Sequence, residues 1–127
     1  TPAAERLAGK FWPRALTIIL KVSGELNPII TSGSGKVAVR ISAHPFVSRL
    51  FEYIDVPLTS TSANLSGAGN LLKSSYIYET FHDKVEHIID SGNIPASKGS
   101  TIVDLAAGSP RIVREGDLSS RKLEEYL

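Results

Sequence analysis

Residues 15–22 are rich in β-branched side chains and leucine, with Ala15, Leu16, Thr17, Ile18, Ile19 and Leu20 forming the longest apolar stretch of the chain. That stretch is far shorter than the ~20 residues a membrane span needs. Its length and composition fit a buried strand, closed by the turn-forming cluster Ser23, Gly24, Glu25, Leu26, Asn27 and Pro28. Further strands are expected at residues 36–41, after the loop Ser32-Gly33-Ser34-Gly35, with the charged end facing a cavity. Others are expected at 58–63, 85–89, 100–105 and, after the Gly108-Ser109-Pro110 turn, 111–114. Helical patterns lie between them. Residues 2–10 form one helix, with Thr1 as N-cap, Pro2 in the first helical position and Gly9 as its close. After His44-Pro45, residues Phe46, Val47, Leu50, Phe51 and Ile54 recur at helical spacing and should bury one face. A helix capped by Ser74 or Ser75 should run through His82, and a last one should start near Leu118 under an Asp117 cap, carrying Leu118, Leu123 and Leu127. Strands alternating with helices predict a mixed α/β fold, a sheet with flanking helices.

The 127 residues, 42% hydrophobic and 21% charged, suffice for one core and hence one domain across 1–127. The absence of cysteine excludes disulfides, thiolate chemistry and sulfur-ligated zinc. A formal charge of +1 gives a polyanion such as RNA no overall advantage over a small molecule. A cytoplasmic location without membrane attachment is expected. The chain starts at Thr1 and contains no Met, the pattern expected of a fragment or processed product.

The densest polar constellation is Thr59-Ser60-Thr61-Ser62-Ala63-Asn64-Leu65-Ser66-Gly67. As a strand it would set Ser60, Ser62 and Asn64 on one face, where three hydrogen-bonding groups suit a polyoxygen ligand. The same residues also serve as turn formers that satisfy their own backbone. Arg40 and Arg114 each end an otherwise apolar strand beside glycine loops, where a guanidinium can hold a carboxylate or phosphate through two parallel hydrogen bonds. A solvated surface arginine is the competing reading, and Lys36 has the same two. No P-loop pattern is present, and His44, His82 and His87 lack metal-ligand spacing, so no metal site is expected.

Six segments in register resemble the YrdC/Sua5 family of threonylcarbamoyl-AMP synthases. They are Phe11-Trp12-Pro13-Arg14-Ala15-Leu16-Thr17, Val37-Ala38-Val39-Arg40, His44-Pro45, the run from Ser60 to Gly67, Ser100-Thr101-Ile102-Val103-Asp104 and Arg114-Glu115-Gly116. The resemblance implies a twisted mixed sheet of the YrdC/RibB-like type and a site for ATP and L-threonine. It assigns Arg40, Ser60 and Ser100 to threonine, and Lys36, Ser62, Asn64, Asn70 and Arg114 to ATP. The implied reaction joins threonine and bicarbonate as a carbamate whose oxygen attacks the ATP α-phosphate, giving threonylcarbamoyl-AMP and pyrophosphate for the t6A37 modification of tRNA. Such chemistry needs no protein nucleophile; Mg²⁺ would ride on the triphosphate rather than on a protein cage.

Arg14-Ala15 stands where the family has Gly-Pro. The family's N-terminal Pro-Thr-Glu/Asp-Thr-x-Tyr-Gly and Lys-x-Arg segments are absent, so the resemblance covers a C-terminal half and implies little or no synthase activity from this chain alone. Competing implications are a non-catalytic YciO-like protein binding double-stranded RNA through Arg40, Arg111 and Arg114, a hydrogenase-maturation carbamoyltransferase domain, and an inactive folded remnant. Proteins of t6A modification are the partners the resemblance suggests, and exposed strand edges would favour homo-oligomers.

Overall fold

In the computed structural model, which describes residues 1–24, 26–65 and 72–127, the apolar run forms β1 (Leu16–Lys21), an inner strand of a four-stranded sheet. β2 (Lys36–Val39) pairs antiparallel to it with Ile18 opposite Val39 and Lys21 opposite Lys36. On the other side β3 (Thr101–Asp104) runs parallel to β1, with Leu16 opposite Thr101 and Ile19 opposite Asp104. β4 (Arg111–Arg114) closes the sheet antiparallel to β3, giving the order β2-β1-β3-β4. The expected mixed α/β class is therefore observed.

One face of this sheet is covered by α1 (Pro2–Phe11) and the C-terminal turn α5 (Arg121–Glu124). Leu7, Phe11, Leu16, Ile18, Val103, Leu118 and Leu123 form the buried cluster, each worth about 1.5–3 kcal/mol of burial. Phe11 meets Tyr126 edge-on with centroids 5.1 Å apart. Thr1 caps α1 as expected, its Oγ1 accepting from Ala4 N at 3.3 Å. Gly9 does not close the helix. The helix continues to Phe11 because the burial of that ring outweighs the ~1 kcal/mol that an interior glycine costs. Trp12 is the C-cap, and its indole N–H donates to Leu16 O at 2.8 Å, joining helix end to strand start across the cis Trp12–Pro13 peptide.

Other boundaries differ from the sequence reading. α2 (Pro28–Thr31) is a single turn that starts at the last residue of the expected turn cluster and is not among the expected helices, capped by Asn27 Oδ1 accepting from Ile29 N at 3.0 Å. α3 (Pro45–Leu50) is only six residues and has no buried residue, with Phe46 and Phe51 both more than 40% exposed. The expected apolar face exists, but no other described element of its unit covers it. α5 starts after Ser120, whose N–H is taken by Glu115 Oε1 at 3.1 Å. Asp117 caps nothing; its carboxylate accepts from Ser97 Oγ at 2.5 Å and Lys98 N at 2.8 Å.

All these elements lie in a first compact unit, Thr1–Pro57 with Ser97–Leu127; a second comprises Leu58–Ala96. The second holds α4 (Ser74–Phe81), whose N-cap is Lys73. Neither expected serine caps it. Instead Asn93 Oδ1 accepts from Ser74 N at 3.2 Å, while Ile94 N donates to Leu72 O at 2.7 Å. The strands expected at 58–63 and 85–89 do not form. Residues 59–62 are Thr and Ser throughout, and with apolar residues only at Leu58 and Ala63 the segment offers no alternating apolar side chains for a sheet to bury. Val85 is instead tied back to Phe81 O, at 3.2 Å, in the turn leaving α4. No helix among the described residues is long and apolar enough to cross a membrane.

Candidate functional site

Strand alternation sends the side chains not packed on α1 to the opposite face of the sheet. The register places Lys21 beside Lys36, Ile19 beside Asp104, and Asp104 beside Arg111 on that face. Arg114 joins them through an irregularity. The ladder slips between Ile102 and Val103, so that Ile102 pairs with Arg114 rather than with Val113. Without that extra residue Arg114 would turn to the other face. Arg40 follows directly after Val39, exposed and without a hydrogen bond or ion pair among the described residues. A chain of net charge +1 thus gathers Lys21, Lys36, Arg111 and Arg114 on one sheet face around a single strand carboxylate, Asp104.

Asp104 organises the β2 side. Its carboxylate is 4% exposed, with Oδ2 3.0 Å from Lys36 Nζ and 3.9 Å from Arg111 Nη2. Oδ1 accepts from Ala106 N at 2.8 Å and Ala107 N at 3.3 Å, a turn that the aspartate side chain itself holds. The Lys36 hydrogen bond, followed by that from Ala106, pulls the Asp104 pKa below its ordinary value of 3.8, against the opposing effect of burial. The ammonium of Lys36, on a side chain 38% exposed, is therefore held in place by an ionised partner. Sequence reading did not single out Asp104. Its signal was an acid closing an otherwise uncharged buried strand.

At the other end of β3, Arg114 folds over Ser100. Nε and Nη2 donate to Ser100 O at 3.2 and 2.7 Å, and Nη2 reaches Ser100 Oγ at 3.3 Å. Ser100 is buried, and its Oγ lies 2.7 Å from Thr17 Oγ1 on β1. Two glycines make this approach feasible. A Cβ on Gly99, which has φ +77°, would lie 3.3 Å from Arg114 Nη2; one on Gly116 would lie 2.3 Å from Gly99 O and 2.4 Å from Ser100 C. Gly116 N donates to Thr101 Oγ1 at 2.9 Å, Thr101 Oγ1 donates to Leu118 O, and Asp117 N donates to Gly99 O at 2.8 Å. The Arg114-Glu115-Gly116 segment is thereby zipped to the start of β3.

The first unit thus carries Lys36, Arg40, Ser100 and Arg114 on or beside one sheet face. Ser60, Ser62 and Asn64 belong to the second unit, where the chain is irregular rather than a strand. Asn64 N donates to Ser62 O at 3.0 Å and Asn64 Nδ2 to Leu65 O at 3.0 Å, so the alternation argument for a shared face does not apply. Ser60 and Ser62 are exposed. Asn70 and Ser66-Gly67 lie outside the described residues. His44 is the N-cap of α3 without a side-chain hydrogen bond.

The family model for Sua5, YciO and YrdC proteins, described as "Telomere recombination", matches residues 1–116. The chain is 36% identical over 124 residues to the threonylcarbamoyl-AMP synthase of Pyrococcus abyssi, covering 98% of this chain and 36% of that protein. It superposes on the crystal structure of P. abyssi Sua5 complexed with L-threonine with a TM-score of 0.87, at 36% identity over 98% of this chain and 36% of that one. For E. coli YciO the values are 0.84 and 26%, over 97% and 60%. The chain spans about a third of the length of the P. abyssi, Bacillus subtilis and Schizosaccharomyces pombe synthases it matches, and 57% of the length of a putative one from Mycobacterium tuberculosis. By the family-model match over residues 1–116 and the likeness to these relatives, the chain belongs to the Sua5/YciO/YrdC family.

Proposed function

We propose that the bare sheet face is the nucleotide and amino-acid platform of a threonylcarbamoyl-AMP synthase, acting in the t6A37 modification of tRNA in the cytoplasm. The observation that carries this reading is the gathering of cations around one carboxylate on the face that α1 leaves uncovered. In this reading Lys36 and Arg114 meet the phosphates of ATP·Mg²⁺ and Arg40 and Ser100 hold L-threonine; the family resemblance assigns Ser62, Asn64 and Asn70 to the nucleotide and Ser60 to L-threonine as well. The likeness to a Sua5 structure complexed with L-threonine supports the choice of amino acid.

The chemistry asks for positioning and charge neutralisation rather than for a nucleophile. Threonine's amine and bicarbonate combine with loss of water. The carbamate oxygen then forms a bond to the α-phosphorus as the bond to pyrophosphate breaks. Negative charge grows on the phosphoryl oxygens, where fixed guanidinium and ammonium groups act without reorganising. An isolated chain spanning 36% of the P. abyssi synthase supplies part of such a site and is expected to turn over slowly or not at all.

Calorimetric titration of ATP and of L-threonine into the chain tests this reading. ATP binding should vanish in Arg114→Ala, and adding an N-terminal half from a family member should restore synthesis. A well-folded chain that binds neither ligand refutes it. The cationic face favours a second reading, in which it binds double-stranded RNA. Affinity falling steeply with salt and indifferent to ATP would select it.

A further inference from the structure

Thr17 makes one polar side-chain contact among the described residues, the 2.7 Å approach of its Oγ1 to Ser100 Oγ. It sits between the buried Leu16 and Ile18, paired with Ile102 on β3, one residue before the pairing with β2 begins at Ile18. Its backbone has little freedom, and a β-branched side chain adds stiffness at χ1. Ser100 Oγ faces two groups at once. Arg114 Nη2, 3.3 Å away, can only donate to it. Either hydroxyl could donate across the 2.7 Å contact; with Arg114 Nη2 donating to Ser100 Oγ and no other acceptor for Thr17 Oγ1 among the described residues, we take Thr17 as the donor. A serine oxygen that accepts twice has both lone pairs engaged, and its remaining capacity is to donate its own proton.

We propose that Thr17 is a positioning residue which, with Arg114, fixes the Ser100 hydroxyl as a donor, so that Ser100 donates to a hydrogen-bond-accepting group of the ligand, the carboxylate of the amino acid. The proposal rests on the reading of Ser100 as a threonine contact and adds the residue that sets its polarity. An ammonium or a second donor at the same place would find no lone pair.

The test is calorimetric titration of the full chain with L-threonine, with L-threoninol, which lacks the carboxylate, and with ATP. Thr17→Val keeps the side-chain shape and removes the hydroxyl; Thr17→Ser keeps the hydroxyl. L-threonine affinity should fall about tenfold in Thr17→Val, the scale of one hydrogen bond to a charged group, and should return in Thr17→Ser. L-threoninol and ATP affinities should stay within about twofold of the parent, a selectivity that loss of packing would not produce. If Thr17→Val does not fold, judged by its melting transition, Thr17→Ala carries the same comparison. Parent-like L-threonine binding by the hydroxyl-free variant, or equal losses for all three ligands without rescue by Thr17→Ser, overturns the proposal while leaving the function reading intact. A parent chain that binds neither L-threonine nor ATP overturns both.

Discussion

Gly116→Ala places a methyl group where the fold has no room. Gly116 is buried and its φ is not in the left-handed region, so the obstacle is contact rather than backbone conformation. The added Cβ would stand 2.3 Å from Gly99 O, 2.4 Å from Ser100 C and 2.6 Å from Thr101 N, all backbone atoms that no rotamer change can remove. Restoring a 3.0 Å separation from Gly99 O requires the two segments to part by about 0.7 Å. Across that seam run Asp117 N to Gly99 O at 2.8 Å and Gly116 N to Thr101 Oγ1 at 2.9 Å. Overpacking typically costs 1–3 kcal/mol, and each weakened hydrogen bond adds a share of about 1 kcal/mol, so a loss of roughly 2–4 kcal/mol is expected. For a domain of this size that corresponds to about 8–16 °C in melting temperature. Because Arg114 leads into the same segment, the variant should also lose its guanidinium grip on Ser100 O. Thermal and urea unfolding measure the effect, with Gly108→Ala as control, since a Cβ there meets nothing within 4 Å. A Gly116→Ala chain within about 0.5 kcal/mol of the parent would refute the contact argument.

Leu7, fully buried under the sheet, should cost about 2–5 kcal/mol when cut to alanine, read by urea denaturation. Arg114→Lys cannot reproduce the paired donation from Nε and Nη2 that anchors the side chain on Ser100 O, so on the proposed reading ATP affinity should fall about tenfold despite the retained charge; equal affinity by calorimetry would show that this anchoring is dispensable. Asp104 and Asp117 both titrate below 3.8 in the folded chain, so the unfolded chain binds protons at higher pH than the folded one. Their contribution to stability is complete above the unfolded value and is lost as pH falls through the lowered folded values. Denaturation measured from pH 6 to pH 2 should show Asp104→Asn with a shallower acid limb than the parent.

The sheet was legible where a strand carried its own reason for burial. The apolar run at β1, the β-branched β3 and the short β4 all lie within a residue or two of their expected bounds. Residues 58–63 and 85–89 have β-branched residues too, but strand identity belongs to a pair, and a single sequence cannot show a missing partner. α3 kept its periodicity while its apolar face stayed exposed, because amphipathic spacing reports what a segment can bury rather than what is there to bury it. Thr17 and Asp104 were passed over for a common reason. Each is a polar residue inside an apolar strand, and only the register reveals that Thr17 meets Ser100 and that Asp104 meets Lys36.

The two faces of the sheet divide the demands on it. Leu16, Ile18, Val103 and the helix residues on one face supply burial that does not depend on a ligand. On the other, Lys21 lies directly opposite Lys36, an arrangement that costs stability unless something negative intervenes. Asp104 meets that need for Lys36 only, and Arg40 has no partner among the described residues. Cations gathered beyond the reach of the local carboxylate represent stored repulsion, which an anionic ligand such as a triphosphate would relieve on binding. Ligand-induced stabilisation should therefore be larger for ATP than for adenosine, and should shrink as salt screens the face.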